Sequence, residues 1–286
     1  MIKCKRSDCL SMLVNLEKLQ KNTQRIIKVK KMRTYRLAWT VFAFLIFGIV
    51  SCTANLELRK KQAEDTRNLG EAYYNQGNYT AALGEFLKAK TLYTGDPYLQ
   101  NDLGLTYMAM KKMDLAIKHF KKALEIKPDY APALNSLGTA YLNKKEWDTA
   151  IRYFKEVTEN LLYATPHFAL SNLGWAYYNK KEYALAEKFY LNALEIKPKF
   201  VNALVGLGKT YIAMNRSLEA VATLEKAVKD YPRLGQLYLE LARAYTLSGE
   251  YKKAYKFYKK AVEYAPDSAF ARKAEQEGQK IRKFRE

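Results

Sequence analysis

The stretch "NLGWAYYNKKEYALAEKFYLNALEIKP", Asn172 to Pro198, carries the pattern that decides the fold. A Leu-Gly pair stands at Leu173-Gly174, Tyr177 follows three residues after the glycine, Ala186 twelve after it, then Tyr190, Ala193 and a closing Pro198. Working outward, Leu-Gly pairs recur at Leu69-Gly70, Leu103-Gly104, Leu137-Gly138 and Leu207-Gly208, and Leu241-Ala242 continues the series. The spacings are 34, 34, 36, 34 and 34 residues. Tyr73, Tyr107, Tyr141, Tyr211 and Tyr245 match Tyr177, and Ala82, Ala116, Ala150, Ala220 and Ala254 match Ala186. Phe86, Phe120, Phe154, Leu224 and Tyr258 take the place of Tyr190.

A fixed period of this length is the mark of stacked helical units that cannot bury their apolar faces alone. The pattern resembles the tetratricopeptide repeat. That resemblance implies an all-α solenoid of six helix-turn-helix units wound into a right-handed superhelix: 63–96, 97–130, 131–164, 167–200, 201–234 and 235–268. A small residue at the eighth and twentieth places lets the two helices of a unit approach, and larger apolar groups fill the space around the crossing. The second helix ends at Pro128, Pro198, Pro232 or Pro266 in four units, because proline cannot continue the helical hydrogen bonds. The first unit has Thr94 there, and the third has Leu162 with a two-residue insertion in "NLLYATP", Asn160 to Pro166. A change of superhelical angle is expected at that insertion. Residues 269–286 hold an expected capping helix, with Gly278 weakening its last turns, and a basic tail.

Composition agrees with a helical chain. Of 286 residues 49% are apolar, and Gly and Pro number only 13 and 7, too few for a β-rich or disordered protein. The net charge is +20, but residues 1–51 hold 11 Lys/Arg against 2 Asp/Glu and the remainder 38 against 27. The three cysteines, Cys4, Cys9 and Cys52, all precede the repeats, so the repeats have neither a disulfide framework nor a Cys-based metal site.

Ahead of the repeats, "MRTYR" (Met32 to Arg36) is basic and "LAWTVFAFLIFGIV" (Leu37 to Val50) is apolar for fourteen residues, a length suited to a signal peptide. Ile49-Val50-Ser51-Cys52 resembles the bacterial lipobox. The resemblance implies cleavage before Cys52, a lipid on its thiol, and membrane attachment through that lipid. Segment 32–51 is then the signal peptide and 52–62 the lipidated linker. Thr53 stands where an Asp would signal inner-membrane retention, which favours the outer membrane facing the periplasm. The alternative is an uncleaved anchor over Leu37 to Ala54. Residues 1–31 read as an extension outside the native start at Met32, or as a cytoplasmic one.

Eleven of the 23 tyrosines fall at framework places and are expected to pack. In tetratricopeptide arrays the concave face is lined from the second, fifth, ninth, twelfth and thirteenth places of each first helix. Those places hold Tyr74 and Asn75; Tyr98, Asn101 and Met108; Asn135, Thr139 and Asn143; and Phe168, Trp175, Tyr178 and Asn179. Asparagine amides can bond a peptide backbone and aromatic rings offer flat apolar area, so an extended or helical peptide is the expected ligand. The chaperone-tail clamp of some family members is disfavoured, because Arg67, Glu71, Pro132 and Ser136 occupy its places.

No catalytic, cofactor or metal site is read. His119 and His167 have no Cys, Asp or Ser at a spacing that would build a nucleophile or metal centre, and each is expected to be solvated. A sequence pI near 9.6 would suit nucleic acid, which an exported protein would not routinely meet; the basic surface suits acidic headgroups, wall polymers or solubility. A lipobox followed by six such units resembles the type IV pilus biogenesis lipoproteins, the pilotin group. That implies a scaffold, not an enzyme, that holds a segment of the outer-membrane secretin and helps it assemble. The competing readings are an adaptor for peptidoglycan hydrolases or exopolysaccharide export and a regulatory subunit docked to an enzyme. The sequence does not set the oligomeric state.

Overall fold

The computed structural model describes residues 55–159 and 165–284, and every regular element among them is helical. Helix α1 spans 55–75. It is followed by α2 (Tyr79–Leu92), α3 (Pro97–Ala109), α4 (Met113–Ile126), α5 (Ala131–Asn143), α6 (Trp147–Glu159) and α7 (Pro166–Asn179). Then come α8 (Tyr183–Ile196), α9 (Val201–Ala213), α10 (Ser217–Asp230), α11 (Gly235–Leu247), α12 (Tyr251–Tyr264), α13 (Ala269–Ile281) and a single 3₁₀ turn, Arg282–Phe284. One compact unit runs from Thr66 onward. Within it each helix packs on the next, and the odd-numbered helices from α3 onward also touch one another in series. Cys52, the lipobox, the apolar segment and the alternative anchor lie outside the described residues. No described helix is long and apolar enough to cross a membrane.

The turn inside each unit is the same device six times. Gly77, Lys111, Lys145, Lys181, Asn215 and Gly249 all stand in the left-handed region, with φ between 60° and 77°. Around Lys181, its own N–H donates to the Tyr178 carbonyl at 3.0 Å and the Glu182 N–H to the Tyr177 carbonyl at 2.9 Å. This paired closure satisfies carbonyls that the ending helix leaves without partners. The tyrosine three places after the small residue therefore supplies an acceptor in every turn as well as a ring.

The core follows the period. The twentieth-place alanines are all fully buried, and so are Phe120, Phe154 and Leu224 beside them. At the eighth place the tight contact is with the large residue at the twenty-fourth place of the same unit. A Cβ on Gly138 would stand 2.7 Å from the Phe154 ring, and one on Gly174 2.8 Å from the Tyr190 ring. Gly278 has a similar reason to be small, since a Cβ there would lie 3.3 Å from that of Tyr258. The second helices stop two residues before Pro128, Pro198, Pro232 and Pro266.

Most of the insertion, 160–164, lies outside the described residues, and so does the change of angle expected there. Phe154 and Val157 before it share one buried cluster with Ala169, Leu170 and Leu173 after it.

The array is also tied by charge. Arg243 on α11 donates to both carboxylate oxygens of Glu277 on the capping helix α13, at 2.6 and 2.8 Å, and to Glu240 at 3.1 Å. Tyr258 donates to the same Glu277 at 3.1 Å. The cap is thus pinned through an ion-paired network as well as through Ala271, Ala274 and Ile281.

Candidate binding groove

The inner surface is built by the first helices of the units, and two concavities lie on it. Glu71, Tyr74, Asn75, Phe86, Asp102 and Leu105 line the first, of about 200 Å³. Ser171, Asn172, Trp175, Tyr190, Asn202, Val205, Gly206, Lys209 and Gln236 line the second, of about 250 Å³.

At the first, Arg67 gathers three carboxylates: Asp96 at 2.8 Å, Glu71 at 3.1 Å and Asp102 at 3.8 Å. The Asp102 Oδ2 is buried with no hydrogen-bond partner. Burial, and then the like charge of Glu71, raise the Asp102 carboxyl to about 7 against the pull of Arg67. Tyr74 leans on Tyr79 with ring centres 5.3 Å apart. Tyr98 is open to solvent, meets Tyr130 edge-on at 5.2 Å, and has Arg67 and Lys127 over its ring.

Several expected groove amides are spent inside the fold. Asn143 donates to the Thr139 carbonyl at 3.1 Å, Thr139 to that of Asn135 at 2.9 Å, and Asn179 to that of Trp175 at 2.8 Å. Met108 receives a long contact from Asn143 at 3.9 Å. Asn135 accepts from Asn172 at 3.4 Å, which links the inner faces of α5 and α7. Asn101 is 5% exposed with a buried, unpartnered Oδ1, so it forms part of the interior and offers no ligand surface.

The fourth unit presents aromatic area. Trp175 stacks on Tyr178 at 5.5 Å with an 8° interplanar angle, and Phe168 packs against His167 and Phe200 while staying exposed itself. Lys209, on α9, holds its ammonium 4.9 Å from the Trp175 ring centre and 5.8 Å from that of Tyr178. The second concavity draws heavily on the fifth and sixth units, where Asn202, Lys209 and Gln236 occupy second and ninth places. The positional rule applied to the first four units finds these residues when carried two units further.

Tyr190 is more than framework. Its ring passes between Gly174 and Gly206, both too close to it to carry a Cβ, and forms the floor of the second concavity. Only two glycines on adjacent first helices, α7 and α9, make that passage possible.

The histidines overturn the expectation that they are solvated. His119 is 8% exposed, stacks on Tyr107 at 5.3 Å and donates from Nδ1 to the Gln100 Oε1 at 2.8 Å. Burial, helped by Lys90, Lys118 and Lys122, lowers its pKa to about 4, so it is neutral at pH 7. His167 is 7% exposed between Phe168 and Phe200, and its pKa is lowered by the same burial and by Lys197. Both came from apolar-facing helical places, the signal that should have marked them as interior. Among the described residues no group of three His, Cys, Asp or Glu side chains could hold a metal ion.

Sequence profiles described as tetratricopeptide repeat match residues 58–97, 96–162, 167–200, 202–233 and 218–276. The chain belongs to the tetratricopeptide-repeat family, whose arrays hold protein or peptide partners. No curated protein is significantly similar to it in sequence. Its fold is similar to the crystal structure of PilW, described as a widely conserved type IV pilus biogenesis factor. The TM-score is 0.69 at 21% identity, over 73% of this chain and 96% of that one. Pseudomonas aeruginosa PilF is similar at a TM-score of 0.66 and 17% identity, over 77% and 99% of the two chains. YrrB, described as having an unusual peptide-binding site, is similar at 0.50 and 19%, over 67% and 97%.

Proposed function

We propose that the chain is exported, lipidated on Cys52 and held at the inner leaflet of the outer membrane, where its array assists assembly of the type IV pilus secretin. The order of the parts carries this reading: a basic stretch, an apolar segment closing on Ile49-Val50-Ser51-Cys52, then six repeat units. The similarity of fold to two type IV pilus proteins supports it. Lipid attachment accounts for a thiol at the end of the apolar segment. Each buried CH₂ contributes about 0.8 kcal/mol, so two or three acyl chains hold a protein stably where one does not.

In this role the array supplies a rigid curved surface and the ligand supplies an extended or helical segment that lies along it. Exposed aromatic rings at Tyr98, Phe168 and Trp175 offer contact area that a bound segment would cover. Deleting the gene should remove heat-resistant secretin multimers from membranes; intact multimers would end the secretin assignment. Cys52→Ala should leave the protein in the soluble fraction, and mass spectrometry of the wild type should find an acylated Cys52 as the first residue. An unmodified thiol with residues 32–51 still attached would remove the anchor.

A further inference from the structure

Lys209 differs from Lys180, Arg216 and Arg243, each of which carries an ion pair. Arg216 is paired with Glu187 at 2.8 Å, Arg243 with Glu277 at 2.6 Å, and Lys180 with Asp148 at 2.7 Å. Among the described residues Lys209 has no carboxylate partner, and its ammonium rests against the rings of Trp175 and Tyr178. It does so at the wall of a concavity of about 250 Å³ whose other polar lining is amide and hydroxyl: Asn172, Asn202, Gln236 and Ser171.

We infer that this concavity, between α7, α9 and α11, takes an acidic side chain from a peptide segment running along the groove, with its carboxylate on Lys209 and an adjoining apolar residue on Trp175. The inference rests on the scaffold reading and names the chemistry of its ligand. A lysine ammonium is a point charge that suits one side-chain carboxylate, and the hydrogen bond it forms is strengthened by charge on both partners. The flanking amides can donate to and accept from the backbone of an extended segment. The floor formed by the Tyr190 ring between Gly174 and Gly206 is buried, which strengthens the electrostatic contact above it.

The occupant is an internal acidic residue, not a chain end. The Asn172 to Asn135 hydrogen bond links the inner faces of α7 and α5, so the inner face itself continues past the concavity. Arg243, the next cation along, is already engaged by Glu240 and Glu277 and is not free to add a second charge for a terminal carboxylate.

The test is a selection of displayed random short peptides on the full chain in detergent, repeated with Lys209→Gln and with Lys188→Gln as an exposed control on α8. Selected peptides should be enriched in Asp or Glu next to an apolar residue. A selected peptide, resynthesised, should bind Lys209→Gln about tenfold more weakly, with Lys188→Gln unchanged. Added salt should weaken wild-type binding and leave the residual Lys209→Gln binding nearly unaffected. Circular dichroism of Lys209→Gln should match the wild type, so that the loss reports the site. Peptides enriched without any acidic preference, or binding Lys209→Gln as well as the wild type, would overturn the inference while leaving the scaffold intact. No enrichment at all would remove both. A wild-type dimer in sedimentation that Lys209→Gln makes monomeric would give the groove to a second copy and overturn the peptide assignment.

Discussion

Gly77 and Lys145 stand at the same place in two turns, at φ 75° and 63°, and only one of them is the residue type that this conformation favours. Nothing lies within 4 Å of where a Gly77 Cβ would be, so Gly77→Ala tests the backbone term alone. It should lower unfolding free energy by about 1 kcal/mol in urea titration, with the m-value unchanged. Two buried titrating groups should give opposite pH dependences. The His119 pKa is depressed to about 4, so its contribution is whole above about 6.5 and is lost as pH falls from there towards 4. The Asp102 carboxyl is raised to about 7, so the folded state holds the extra proton and stability falls as pH rises from about 4 towards 7. Thermal melts should therefore show Asp102→Asn above the wild type at pH 8 and close to it at pH 4. His119→Gln should flatten the acid side of the profile. A wild-type-like slope in either variant would mean that another group sets it.

Helices are joined here by two kinds of contact that the period alone does not separate. Within a unit, a glycine or alanine receives the large side chain of its partner helix, as Gly138 receives Phe154. At the end of the array, α13 is secured by polar contacts among Arg243, Glu240, Glu277 and Tyr258, which the apolar pattern of the repeat does not specify. Glu277→Gln should weaken the attachment of α13 by about 1–3 kcal/mol, because the Arg243 guanidinium loses its charged partner while Glu240 remains. Hydrogen exchange of α13 amides should accelerate with α7 and α9 unaffected. Global loss of protection would show that the cap holds the whole stack. The helix ends before proline were legible from residue types, because a missing N–H group is local, whereas the left-handed turns were not, since Lys111, Lys145 and Lys181 are not types that favour that conformation. The Arg243 network was not legible, since its members come from three helices and the 34 residues between Arg243 and Glu277 do not by themselves mark an ion pair.

Repeat stacks are held by nearest-neighbour contacts, so stability along them need not be even. A single buried cluster extends from Ala131 to Ile281, whereas Ala116, Ile117 and Phe120 belong to a smaller one with Leu137 and Ala140. Native-state hydrogen exchange should accordingly find α2 to α4 opening before α7 to α11. Equal protection throughout would show that the two clusters unfold as one. The number of units, their length and their order could be read from Leu-Gly pairs and alanines, because each unit must bury the same faces against the same neighbours. Which groove residues remain available could not. Asn101 sits at a lining place yet is enclosed, Tyr190 sits at a packing place yet floors the second concavity, and the amides of Asn143 and Asn179 are turned back onto their own helices. Period and residue type settle where a backbone goes because local conformation and burial repeat with it. Availability for a ligand is set by the hydrogen bonds each side chain makes and by how successive helices pack on one another, and it exists only once they have packed.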